Sequence, residues 1–455
     1  MKFFKEYKSL IILSLLTCIL GIIFIPEKSF CFEPDSQGYI DFVATRSAGY
    51  PSFLKTLGLV STQWQFYSAV QIILSSLVIL VLCRELTHWL KNKKIVSLVW
   101  VFFALNPILY VLNVKILTEG LFCTLMICIA TQSLVYLRKN RSPKQLLLLS
   151  LFVGLSISIR PSGLYYLVAL IFFLILMPPQ RKKLWPAIAC LFLPAFFIMG
   201  TSKLIYDAHH EKANSLMPAH IFARGLMLMN ENDHDLFPDQ MKPHLPALLD
   251  LKSKVDNLEG FTIRHLARTR LEVMFQHQLD HQMTNQARQD LGIKLIKRHP
   301  GAYIKHTSLH FLHLWTGFEV FSKSESDSFA QQNKDWQQLE LVNDFSWHDT
   351  LTKKRRTFPL AWLHWVLLMP LLMIITSTVL SFIHAIKKTD EPLMRLAGFF
   401  SICCIGSSLL TAMVGIATIR YALTLTPFLI TIVLLFILSF THRNTLNNPA
   451  SSSLL

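Results

Sequence analysis

Five charged residues stand out against long apolar runs: Asp35, Arg46, Glu119, Arg160 and Arg420. Asp35 and Arg46 share the first polar gap, and the other three sit at turns between apolar runs. A guanidinium stays charged at any working pH and grips a phosphate with two parallel donors. A carboxylate beside such a phosphate suits a general base toward an incoming hydroxyl or amine. These parts point to a transferase that takes a group from a lipid phosphate. The donor would enter from the bilayer, and the acceptor from the bilayer or the outer compartment. Charge at membrane depth is costly and usually functional. The same residues also read as helix-end side chains reaching for the interface. Glu119 reads equally as a carboxylate favoured by a helix dipole. Asp35 reads also as a turn or cap residue after Pro34.

Other groups join the candidates. Asp41 and Glu33 are alternative bases near Asp35. Tyr39 and Tyr50 offer rings for stacking on a sugar, or for sitting at the interface. Gly49-Tyr50-Pro51 reads as structural, with Pro51 opening a short helix. Thirteen of the 17 histidines lie between residues 207 and 358. His306, His310 and His313 fall at helical spacing on one face, and His277 and His281 form a second such pair. That spacing permits a zinc site. Phe311, Leu314, Trp315 and Phe318 line the opposite side, so an amphipathic helix at lipid headgroups explains the same pattern.

The elements that must position these groups are membrane helices. The 455 residues are 52% hydrophobic and only 16% charged, where a soluble domain carries about a quarter charged residues. Several runs reach the roughly 20 residues that cross a bilayer. The net charge of +16 does not point to nucleic acid, because the short basic clusters fall at every second gap between apolar runs. That is the positive-inside pattern. Seven of eight cysteines lie in or beside apolar runs and Cys31 lies in a loop, so no disulfide framework is evident.

The expected fold is an all-α polytopic membrane protein of about ten transmembrane helices with both termini inside. Residues 1–206 form an N-terminal transmembrane module whose first outer loop is 27–65. Residues 207–358 form a mostly helical extracytoplasmic domain. Residues 359–441 form a C-terminal transmembrane module, and 442–455 a disordered cytoplasmic tail. The spans run Ser9–Pro26, Phe66–Leu86, Ile95–Leu112, Gly120–Leu137, the short pair Gln145–Ile159 and Gly163–Met177, Trp185–Tyr206, Leu360–Ala385, Leu396–Ile419 and Tyr421–Phe440. This topology puts all five charged candidates on the outer side.

Pro34-Asp35-Ser36-x-x-Tyr39, followed by Arg46-x-x-Gly49-Tyr50-Pro51-x-x-Leu54, resembles the first outer loop of GT-C glycosyltransferases. The likeness is nearest to bacterial relatives of protein mannosyltransferases and of the lipid A aminoarabinose transferase. Asn106-Pro107, Thr118-Glu119, Arg160-Pro161-x-Gly163, Arg420-Tyr421 and Pro427 follow in the same order, so the resemblance covers about Asp35 to Pro427. In the large loop it extends only to Arg224 and His299-Pro300. It implies a GT-C-like fold, a polyprenyl-phosphate sugar donor, and transfer to a lipid, glycan or protein acceptor on the non-cytoplasmic face. It also implies that Asp35 is the catalytic base. Arg46, Tyr39, Tyr50, Glu119, Arg160, Arg420, Tyr421 and Arg224 become the expected substrate contacts. No cofactor is required, though a divalent metal is compatible, with His306, His310 and His313 its candidate ligands. The expected location is the bacterial inner membrane with the active site facing outward.

The chain has no P-loop, no GxGxxG after a strand, no HExxH and no CxxC pair, which argues against ATP-driven transport and nucleotide chemistry. Two rival functions remain, beside a structural subunit that keeps the loop motifs without activity. An O-antigen polymerase or ligase shares many spans, a large outer loop and key arginines. A lipid or solute transporter places its charges near the bilayer midplane instead.

Overall fold

The helix at the centre of the first unit is almost entirely enclosed by protein, although its sequence is apolar enough to face lipid. It is α8 (Thr118–Arg138). The structure, a computed structural model, describes residues 7–33, 35–90, 93–139, 141–179, 181–210, 217–239, 241–257, 271, 284–316, 363–387, 391–414 and 423–447. Every regular element among them is helical. The chain divides into two compact units. The first comprises Met1–Asn214, Leu372–Ser407 and Leu423–Leu455, and the second Ser215–Leu371 and Ser408–Ala422.

In the first unit, α1 (Lys8–Ile23) leads to two short loop helices, α2 (Lys28–Cys31) and α3 (Ser36–Ile40). Helix α4 (Gly49–Gly58) completes the loop, and α5 (Trp64–Leu86) follows. Next come α6 (Lys93–Ala104) and α7 (Pro107–Val114), bent by 43°. The bend has a local cause. Asn106 caps α7 by accepting the Ile108 and Leu109 N–H groups at 2.9 and 3.2 Å. Pro107 occupies the first helical position, where its missing N–H costs nothing. After α8 come α9 (Pro143–Ile159), a 3₁₀ turn (Pro161–Leu164), α10 (Tyr165–Leu176) and α11 (Leu184–His209).

Helix α8 packs against α5, α7 and α9. Small residues allow close approaches around it. A Cβ on Gly120 would lie 2.6 Å from the Leu112 carbonyl oxygen, and one on Gly154 of α9 would lie 2.9 Å from Ala195 Cα of α11. Pro194 interrupts the backbone ladder of α11, and Ser150 Oγ of α9 accepts the adjoining Ala195 N–H at 3.0 Å. Arg138 binds both oxygens of buried Glu85 at 2.7 and 2.8 Å, tying the ends of α8 and α5 together.

The second unit holds α12 (Met217–Leu226), α13 (Leu245–Asp256), α14 (Asn285–Arg298) and α15 (Pro300–Thr316). Helices α12 and α14 meet at paired glycines: a Cβ on Gly225 would stand 2.7 Å from Gly292 Cα. Buried Asp233, in the 3₁₀ turn Glu231–Leu236, accepts from His299 Nε2 at 2.8 Å and closes a capping box with Asn230. The late helices are α16 (Leu363–Ile386), α17 (Pro392–Val414) and α18 (Thr426–Asn447).

Most of the described residues of each apolar run are helical, the third run lying on the bent pair α6–α7 and several runs ending in non-helical residues such as Phe24–Pro26 and Met177. Among the described residues, α5, α8, α11 and Pro392–Met413 are long and apolar enough to cross a membrane. The bent pair makes a fifth. Five is fewer than the ten expected, and for α1, α9 and α10 the reason is length. Helices α1 and α9 have 16 and 17 residues, or about 24–26 Å at 1.5 Å per residue, against a hydrocarbon core of about 30 Å. Helix α10 is shortened by the break at Arg160-Pro161.

Candidate active site

The residue before a proline is pushed out of helical geometry. Arg160, ahead of Pro161, accordingly ends α9 in an extended conformation (φ −142°, ψ 119°). Its guanidinium then meets the start of α8. Arg160 Nη1 lies 3.4 Å from Glu119 Oε1, and both side chains are buried (7% and 3% exposed). Thr118 Oγ1 donates to the other Glu119 oxygen at 3.2 Å, and the guanidinium lies 5.7 Å from the centre of the Phe122 ring.

A second ion pair forms within the first loop. Arg46 Nη2 donates to Asp35 Oδ1 at 2.6 Å. Asp35 precedes α3 but makes no side-chain capping bond, so its carboxylate is committed to Arg46 rather than to the helix end. The chain reverses at Phe42, whose φ of 50° lies in the left-handed region, costly for a bulky residue. The Phe42 ring packs 4.9 Å from His210 and 5.1 Å from His209 at the end of α11. Gly38 leaves room for the returning arginine: a Cβ there would sit 3.2 Å from Arg46 Nε.

Tyr39 lies between the two pairs. The Arg46 guanidinium stacks 4.7 Å from the centre of its ring, and its hydroxyl hydrogen-bonds the Thr118 side chain. Burial raises the Tyr39 phenol above its usual pKa, against the pull of Arg46. Burial also opposes the Arg46 charge, but Tyr39 and Asp35 outweigh it and hold the guanidinium above the usual arginine range. Tyr50 meets Tyr39 edge-on at 5.3 Å, and burial pushes its pKa well up.

The loop is seated by backbone contacts. Gly49 starts α4 against the end of α9, where a Cβ would lie 2.6 Å from the Ser158 carbonyl carbon. Ser47 Oγ donates to the Ile159 carbonyl at 2.9 Å, and Tyr206 donates to the Ala44 carbonyl. Ile116 N–H donates to the Cys31 carbonyl at 2.9 Å, beside an ion pair of Lys115 with Glu33. Beneath the loop, Tyr50, Leu54, Tyr67, Ile116, Leu121 and Ile159 form one apolar cluster.

The structure therefore gathers Asp35, Arg46, Tyr39, Tyr50, Glu119 and Arg160 into one neighbourhood of the first unit. Of the alternative bases, Glu33 is held by Lys115, and Asp41 is exposed and bonded by the Gln37 amide at 2.9 Å. Arg224 belongs to the second unit, where it is fully buried. His306 and His310 are also there, with ring centres 4.2 Å apart. Among the described residues no group of three His, Cys, Asp or Glu is placed to hold a metal ion. Pro34, Arg420 and Tyr421, and the His313 side chain, lie outside the described residues.

Sequence reasoning missed Gln71. It is buried in α5, where it donates to the carbonyls of Asn113 and Lys115 at 3.2 Å and faces the Tyr50 hydroxyl at 3.5 Å. The signal was a lone amide inside an apolar run, a position where polar groups have a task. Comparison of the chain with family models, curated proteins and solved structures finds no match in any of the three.

Proposed function

We propose that this chain is an integral-membrane glycosyltransferase of GT-C type. It moves a sugar from a polyprenyl-phosphate donor to a lipid, glycan or protein acceptor at the outer face of the bacterial inner membrane. The observation that carries this reading is the convergence of two carboxylate–guanidinium pairs, Asp35–Arg46 and Glu119–Arg160, on the two sides of Tyr39. The pairs come from segments far apart in sequence, and one of them is partly open to solvent. In this reading all ten apolar runs cross the membrane, the shorter ones by local thinning of the bilayer.

The reaction is a single displacement. An acceptor hydroxyl or amine attacks the anomeric carbon, and Asp35 takes its proton. The bond from the anomeric carbon to the phosphate oxygen breaks with inversion, and polyprenyl phosphate leaves. Phosphate is a good leaving group, so no second carboxylic acid has to protonate it, unlike glycoside hydrolysis. Arg160 faces the departing charge. Arg46, paired with Asp35, is better placed to orient the base than to hold the donor. Glu119 keeps Arg160 in position, and Tyr39 and Tyr50 offer ring faces or edges to the sugar.

The test is transfer of labelled sugar from polyprenyl-phosphate donors by membranes containing wild type or Asp35→Asn. Removing a general base costs about 10²–10⁴-fold in rate. Transfer by wild type that falls by that factor, at equal protein in the membrane, supports the assignment. Near-normal transfer by the variant would sink Asp35 as base. Substrate moving across the bilayer without covalent change would favour a transporter.

A further inference from the structure

We infer that a cavity between α1, α5, α6 and α7 binds the uncharged hydroxyl end of a lipid alcohol dissolved in the bilayer. This inference does not rest on the transferase reading. The cavity lies wholly within the first unit and has a volume of about 50 Å³. That is room for about three to five waters, or for one hydroxyl and the first carbons of a chain. Its floor is deeply buried, with Trp100 and Phe103 of α6 each 1% exposed, and Ile72 and Ile79 of α5 form a second apolar wall. Ser14 of α1 and Ser75 of α5 bring hydroxyls to it. At the end of α1, Tyr110 of α7 donates to the Gly21 and Phe24 carbonyls at 3.2 and 2.9 Å and holds the two helices together.

The hydroxyls decide what this cavity takes. A serine or threonine inside a helix commonly returns its proton to the carbonyl one turn back. Thr17, on the cavity rim, does so to Leu13 at 2.7 Å. Ser75 does not. It is 6% exposed, and among the described residues its hydroxyl bonds nothing and opens on the cavity instead. An unmet hydroxyl inside an apolar bundle is costly, so this one is kept for a partner. Ser14 Oγ accepts from Trp100 Nε1 at 2.6 Å and still has its own proton to give. No Asp, Glu, Lys, Arg or His lines the cavity, so a phosphate or a cation would lose its hydration and meet no counter-charge. A bare hydrocarbon chain would leave Ser75 unmet. Water would satisfy Ser75, but the rim is set among aliphatic side chains. Thr17 lies one turn from Leu13 and Leu20, and Ser76 lies beside Leu77, all three leucines being exposed (44%, 43% and 53%). An amphiphile with a neutral hydroxyl meets both conditions, its oxygen among the serines and its chain along the leucines.

The same hydroxyl is presented by a single-chain alcohol or by a diacylglycerol. The test uses the full chain reconstituted in phosphatidylcholine vesicles. A photoactivatable octanol carrying a diazirine is crosslinked to it, and the adducts are located by mass spectrometry. Adducts are expected around Ser14, Ser75 and Trp100, and excess 1-octanol should suppress them. Ser75→Ala removes one neutral hydrogen bond and should weaken the site about fivefold, read as the octanol concentration that halves the labelling. Ser75 bonds nothing else among the described residues, so that variant should keep the wild-type thermal midpoint. Competition by 1-octanol and not by dioctanoylglycerol identifies a single-chain alcohol, and competition by both identifies a general lipid hydroxyl. Octane that competes as well as octanol reduces the cavity to an apolar crevice and overturns the inference. So does octyl phosphate that competes equally, and so does Ser75→Ala that binds as wild type. Adducts spread evenly over the lipid-facing helices, with none concentrated at these three residues, overturn it as well.

Discussion

At the scale of single residues, the Glu119–Arg160 pair separates a structural role from a chemical one. Breaking a buried pair by removing one partner leaves a charge without its counterion and typically costs about 3–5 kcal/mol, whereas replacing both by apolar residues is often neutral. Glu119→Gln should therefore lower the thermal midpoint of the purified protein sharply. Glu119→Leu/Arg160→Met should restore most of that loss but transfer no sugar. A double variant that regained stability and activity together would reduce the pair to packing. The phenols give a pH prediction. Tyr39 and Tyr50 have raised pKa values in the folded state, so the unfolded chain loses those protons first, near the ordinary phenol value of about 10. Stability from these groups is intact below that pH and declines above it. Tyr39→Phe should flatten the decline, read as thermal midpoint against pH from neutral to strongly alkaline. Much of this site was legible in the sequence, because charges and aromatic rings at apolar borders announce themselves one by one. Their pairing was not. Nothing in the string says that Arg46 turns back onto Asp35, since that depends on the left-handed turn at Phe42 and the missing side chain at Gly38.

At the scale of elements, the site depends on how closely α4 sits on the end of α9. Gly49 has no space for even one methyl group: a Cβ would meet the Ser158 hydroxyl at 2.4 Å and, even with that side chain swung away, the Ser158 backbone carbonyl at 2.6 Å. Gly49→Ala should push α4 outward and carry Tyr50 and Arg46 with it. Overpacking costs about 1–3 kcal/mol, so the protein should fold while sugar transfer drops by well over its stability loss. Gly200→Ala, in α11 with open space around it, is the matched control and should be silent in both assays. The turn Gly49-Tyr50-Pro51 was recognisable as a helix start, and α4 does begin there. Its packing partner was out of reach, because Ser158 lies more than a hundred residues along the chain and apolar periodicity says nothing about which helices touch. The bend between α6 and α7 was half legible in the same way: Asn106-Pro107 marks a cap and a first helical residue, but not the angle.

At the scale of the whole molecule, the number of crossings is settled by physics that single helices do not show. Large apolar side chains of α11 stand open on the protein surface, with Leu193, Phe197 and Leu204 each about two-thirds exposed or more (65%, 73% and 72%). A face of that kind marks a contact with lipid or with another protein surface. Helix α1 is similar, with Ile12, Leu15 and Ile19 about half exposed (53%, 55% and 52%), yet it falls short of a full span. If α1 crosses, bilayer thinning at a fraction of a kcal/mol per Å meets the shortfall. If it lies along the surface, half its apolar girth faces water or headgroups. The ten-span arrangement puts Lys8 and Lys182 on one side and Leu59 on the other. With only five spans, Lys8 and Leu59 share a side and Lys182 is opposite. All three positions are exposed, so single cysteines there, in a background cleared of the native eight, can be labelled. An impermeant maleimide applied to intact cells stripped of their outer membrane should label Leu59→Cys at once, and Lys8→Cys and Lys182→Cys only after lysis. Prompt labelling of both Lys8→Cys and Leu59→Cys would instead leave α1 outside the count and move the membrane boundary relative to Asp35. In the proposed reaction Asp35 faces the compartment that supplies the acceptor, so that single result bears on the proposed chemistry as directly as on the topology.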